Sequence, residues 1–148
     1  MAVSRILVGY DGSNAGRRAL DRAVVEARES HAHVTVLCVA NMPLDPGVPR
    51  YFGTLDDIAP GEGRPLSPPP DVVAHLTEAR DLLSAAGIDP DLAWAAGDPG
   101  NEIVETAKRI RARLIVLGEH HHGLLSGLFG GDVDEAVQRE AGCTVILA

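Results

Sequence analysis

A chain of 148 residues is long enough to bury one sizeable core, and its 45% hydrophobic and 23% charged residues are ordinary for a globular domain. A net charge of −8 with no basic cluster argues against a nucleic-acid surface. No apolar run approaches the roughly 20 residues that span a bilayer, so no membrane segment is expected.

The first residues enter a strand at once, without the charged and apolar regions of a signal peptide, which predicts a cytoplasmic protein. That strand is Val3 to Val8, and the unbroken Ile6-Leu7-Val8 suggests burial on both faces, as in a parallel sheet. Gly9-Tyr10-Asp11-Gly12-Ser13 is a turn, and Ser13 or Asn14 can cap the helix after it. The helix, about Ala15 to Glu29, lines Ala15, Ala19, Leu20, Ala23, Val24 and Ala27 along one stripe. His33 to Ala40 is a second, β-branched strand. Composition then changes: eight of the ten prolines fall between Asn41 and Pro70. This segment is expected to be a long excursion with at most a helical turn near Leu55 to Ile58, either a solvated insertion or a lid.

Asp71 is placed to cap a helix over Val72 to Ala86, which Gly87 ends. Asp91 to Ala96 is a weaker strand holding the lone tryptophan, Trp94. Asp98-Pro99 opens the next helix, with Asp as cap and Pro at the first helical position. Leu114 to Leu117 is a short buried strand closed by Gly118. A loop with Gly123, Gly127, Gly130 and Gly131 follows, and Asp132 stands where a helix cap belongs. That helix runs to about Glu140, and Gly142 stops it before the last strand, Thr144 to Leu147.

Strands alternating with helices predict a single α/β domain over residues 1–148: a doubly wound, Rossmann-like, five-stranded parallel sheet with helices on both faces. Ligands of such sheets bind beyond the carboxyl ends of the strands, where the strand order reverses. Two such ends are distinctive here, Gly9 to Ser13 and Gly118 to Asp132. Strand, glycine-rich turn and helix N-terminus together suit an anion. The run His120-His121-His122 invites a metal, but consecutive side chains rarely converge on one ion, and no ligand spacing accompanies them. No second group is placed to activate Ser13, so the residues predict neither a metal site nor a catalytic residue.

End to end, the chain resembles the universal stress protein family, in the opening ILVGYDGSNAGRRAL, the segment GDPGNEIVETAKRIRARLIVLG and the ending AGCTVILA. The resemblance implies a cytoplasmic stress-response module with an adenine-nucleotide pocket and a homodimer paired through the last strand, Thr144 to Ala148. An uncovered edge strand there would in any case offer unpaired backbone to another chain. In ATP-binding members of the family the aspartate of the first turn, here Asp11 beside Gly9 and Tyr10, contacts the nucleotide. Residues at the end of the second strand, near Val39, approach the adenine.

The family's ATP signature runs glycine, two residues, glycine, nine residues, then glycine and serine or threonine. Laid on Gly118, its second glycine falls on His121 and its third on Gly131, after Gly130. Its final hydroxyl residue falls on Asp132. Two of the four positions depart. A carboxylate about 4 Å from a phosphate repels it by roughly 4 kcal/mol per unit charge at an effective dielectric near 20. The helix dipole returns only ~0.3–1 kcal/mol. The expectation is therefore a regulatory module, by resemblance not an enzyme and unassigned in protein partner, whose nucleotide pocket is degenerate and binds ATP weakly or not at all. The alternative is an ATP-binding protein with slow hydrolysis, in which Mg²⁺ bridges Asp132 to phosphate. The serine-glycine-glycine loop of the related ATP pyrophosphatases is missing after the first strand.

Overall fold

The computed structural model describes residues 4–40, 51–52, 68–119 and 131–148. Among them run β1 (Arg5–Gly9), α1 (Asn14–Ser30), β2 (His33–Ala40), β3 (Tyr51–Phe52), α2 (Pro70–Ala85), β4 (Asp91–Ala96), α3 (Pro99–Ile110), β5 (Leu114–Leu117), α4 (Gly131–Glu140) and β6 (Thr144–Leu147). The sheet order is β3-β4-β2-β1-β5-β6. The five strands β4, β2, β1, β5 and β6 are parallel, as the alternation of elements predicts. β3 adds a sixth, antiparallel rung pair on the outside of β4, with Tyr51 opposite Trp94 and Phe52 opposite Ala93.

Strand alternation divides the core. Ile6, Val8, Tyr10, Val34, Val36 and Cys38 face α1 and α2, where Ala19, Leu20, Ala23, Leu76, Ala79 and Leu83 complete one cluster. Leu7, Leu37, Ala93 and Ile115 face α3 and α4, which supply Ile103, Val104, Ala107, Val137 and Ala141. Both faces of β1 are thus covered, which is why its sequence is an unbroken apolar run. Each fully buried Leu or Ile in these layers contributes roughly 1.5–3 kcal/mol by leaving water.

The helix ends follow local chemistry. Ser13 caps α1, its Oγ accepting from the Gly16 N–H at 3.0 Å. Asp98 caps α3 in the same way, accepting from the Asn101 N–H at 3.0 Å. Two expected caps are displaced. α2 begins at Pro70 behind Pro69, with no side-chain cap, so Asp71 stands in the first turn. A proline there has no N–H to satisfy and its φ is already helical, so the helix starts ahead of the aspartate. α4 begins at Gly131, which makes Asp132 its second residue and not its cap. The helical turn expected near Leu55 to Ile58 lies outside the described residues, as does any lid formed by the excursion.

After β1, β2 and β4 run outward on one side of the sheet, the chain crosses to the other side of β1 to form β5 and β6. The order therefore reverses between β1 and β5. The two distinctive strand ends are neighbours at that reversal, with Val8 registered on Val116.

Candidate functional site

The β1–α1 turn is built residue by residue. Tyr10 continues the ladder with β2, its N–H donating to the Leu37 carbonyl at 2.9 Å. Its ring is buried, 2% exposed. Its hydroxyl donates to Glu78 Oε1 on α2. Asp11 is exposed and accepts from the Ser13 N–H at 3.0 Å and from the Ser13 hydroxyl. Gly12 takes φ +81°, and the His75 ring of α2 lies where a Cβ would stand. A side chain at position 12 would be strained in backbone and blocked in space. A Cβ on Gly16 would come within 3.0 Å of the Asp11 carboxylate and the Tyr10 ring.

The β5 end meets this turn across the strand reversal. Gly118 abuts the Ala15 carbonyl in the first turn of α1, so closely that a Cβ has no room. The next residue, Glu119, is held at its backbone: its N–H donates to the Ala148 carbonyl at 2.8 Å, and Arg18 donates to its carbonyl at 2.9 Å. The chain thus leaves the ends of β1 and β5 from fixed points.

Burial first, and then the Asp71 and Asp11 carboxylates, push the Cys38 thiol up to about 12. Cys143 is half-buried and is raised by burial alone. Thiolate is the reactive form. In the native protein at about pH 8, an alkylating reagent should therefore modify Cys143 at least about tenfold faster than Cys38, as read by peptide mass spectrometry. Among the described residues, no three His, Cys, Asp or Glu side chains gather as metal ligands. No helix among them is long and apolar enough to cross a membrane.

The profile of the universal stress protein family matches residues 2–148. The chain belongs to the universal stress protein family. It is 31% identical over 161 residues to the stress response protein NhaX of Bacillus subtilis, covering 97% of this chain and 96% of the relative. A universal stress protein solved in complex with cAMP superposes at a TM-score of 0.71 with 26% identity, covering 100% of this chain and 98% of the other. The Archaeoglobus fulgidus universal stress protein solved in complex with dAMP superposes at 0.65 with 23% identity, over 99% and 98% of the two chains, a likeness of fold alone.

In this universal stress protein the site residues expected from sequence are placed as follows. Gly9, Tyr10 and Asp11 form the β1 end, and a Cβ on Gly9 would sit 2.8 Å from the Leu117 side chain of β5. Val39 lies near the end of β2, paired with Ala95 and packed on the α3–α4 face of the sheet. Tyr10 projects to the opposite face. Gly118 closes β5, and Gly131 and Asp132 open α4. His121 and Gly130 lie outside the described residues, as do His120 and His122. Sequence reasoning missed His75 and Glu78. His75 carries the spacing of an ordinary surface residue, yet it is half-buried over Gly12. No local pattern announces a contact with a turn more than sixty residues away.

Proposed function

We propose that this protein is a non-catalytic regulatory module of the stress response that binds an adenine nucleotide with few phosphates better than ATP. The observation that supports the reading is the combination of two features in the segments that follow β1 and β5, the strands flanking the reversal. The Asp11 turn is intact and ordered by Ser13. In the sequence after β5, α4 opens on Gly131-Asp132, so an acidic residue stands in its first turn where the ATP signature has a hydroxyl. A helix N-terminus welcomes phosphate, and a carboxylate beside it opposes each added charge. The cAMP complex of the relative is consistent with a ligand carrying one phosphate.

Calorimetric titration with AMP, cAMP, ATP and Mg-ATP tests this, after the purified protein has been checked for carried nucleotide. AMP or cAMP should bind at micromolar level and metal-free ATP at least about tenfold more weakly. ATP binding tighter than AMP without metal would overturn the reading. Tight binding of Mg-ATP alone would favour the metal-bridged alternative, in which Asp132 holds the ion. The edge position of β6 supports a homodimer through Thr144 to Ala148, which sedimentation would register as twice the 15.6 kDa chain mass.

A further inference from the structure

Three elements converge on one carboxylate oxygen. Glu78 Oε1 of α2 accepts the Tyr10 hydroxyl from the end of β1, and Arg17 Nε and Nη2 from α1 at 3.4 and 3.3 Å. One turn earlier on α2, His75 meets the Tyr10 ring edge-on, with centroids 6.4 Å apart and planes at 87°. The same imidazole covers Gly12. Each residue of the turn is therefore held: Tyr10 by Glu78, Gly12 by His75, and Asp11 by Ser13, which is itself fixed as the cap of α1.

We propose that Glu78 and His75 are positioning residues, which touch no ligand but hold the Tyr10–Ser13 turn in the shape that presents Asp11 to the crevice. The proposal rests on the nucleotide reading above for the identity of what Asp11 meets. The titration behaviour agrees with the geometry. Burial first, and then the bond to Glu78, push the Tyr10 phenol up to about 12. The Tyr10 bond is the largest influence holding the Glu78 carboxyl below its usual range. The pairing is also economical in contacts: Glu78 and Arg17 are each partly exposed, so a simple surface ion pair would contribute little, whereas the phenol they hold is part of the core.

The test pairs AMP calorimetry with amide hydrogen exchange over residues 10–16, in the wild type, Tyr10→Phe, Glu78→Ala and Glu78→Gln. Tyr10→Phe and Glu78→Ala should each weaken AMP about three- to tenfold and speed exchange in the turn, while the fold persists. Glu78→Gln keeps an acceptor for the phenol and should stay within about twofold of wild type. Glu78→Ala with unchanged affinity and exchange overturns the proposal, and so does faster exchange with unchanged affinity. A wild type that takes up no AMP defeats the nucleotide reading instead. The exchange rates then decide alone whether Glu78 holds the turn: faster exchange in Glu78→Ala supports it, and unchanged exchange ends it.

Discussion

Gly118→Ala is expected to lower the thermal midpoint by about 10 °C. The added methyl would lie against the carbonyl carbon and oxygen of Ala15 and against its Cβ. Two of these three atoms are backbone in the first turn of α1, so no rotamer change makes room. Either β5 or α1 must move, and both are packed on the central strand. Overpacking of this kind costs about 1–3 kcal/mol where side chains can adjust, and the upper end applies where they cannot. For a domain of this size each kcal/mol shifts the midpoint by about 2–4 °C. Differential scanning calorimetry checks it, and an unchanged midpoint would mean that the close approach of Gly118 to Ala15 is not a constraint. The first glycine of the nucleotide signature is thus required by packing here, whatever the crevice binds.

Joint replacement Asp132→Ser with His121→Gly should tighten ATP about 10- to 100-fold. The expected effect is one of charge: a carboxylate about 4 Å from a phosphate, at an effective dielectric near 20, opposes it by roughly 4 kcal/mol, with screening lowering that figure. Serine keeps a hydrogen-bonding side chain at the start of α4, and glycine at 121 restores backbone freedom and space. Because the charge is removed without a metal, the gain should be largest in metal-free buffer. A titration showing equal ATP affinity in the double variant and the wild type would mean that neither residue limits ATP binding.

Much of this molecule is legible in its residues, for identifiable reasons. β2 and β4 match their expected bounds because their apolar runs are closed by turn residues on both sides. Asp98-Pro99 and Gly87 mark helix ends through φ preferences that act locally. Asp71 misled because two devices compete at one helix start, and the prolines act one residue earlier. Tyr51–Phe52 gave no strand signal, since two residues in a proline-rich segment carry no period and pair only because β4 offers an edge. The turn around Asp11 could be picked out from its glycines and its place after β1. What holds that turn could not, because Glu78 and His75 reach it through the folded chain.

The unequal edges of the sheet decide what kind of assembly it can seed. On one side, among the described residues, the sheet ends at the two-residue antiparallel β3, which itself offers little backbone to a further strand. On the other, β6 is four residues long and parallel to β5, with its outer side unpaired by any described strand. A sheet with two good edges can add copies without end and grow into fibres. Among copies of itself, a sheet with one such edge can pair only edge to edge, and the second copy would then use up the edge of the first. If copies of this chain pair through β6 alone, as proposed above, the assembly closes at two because of the strand lengths, and lengthening β3 would put that closure at risk.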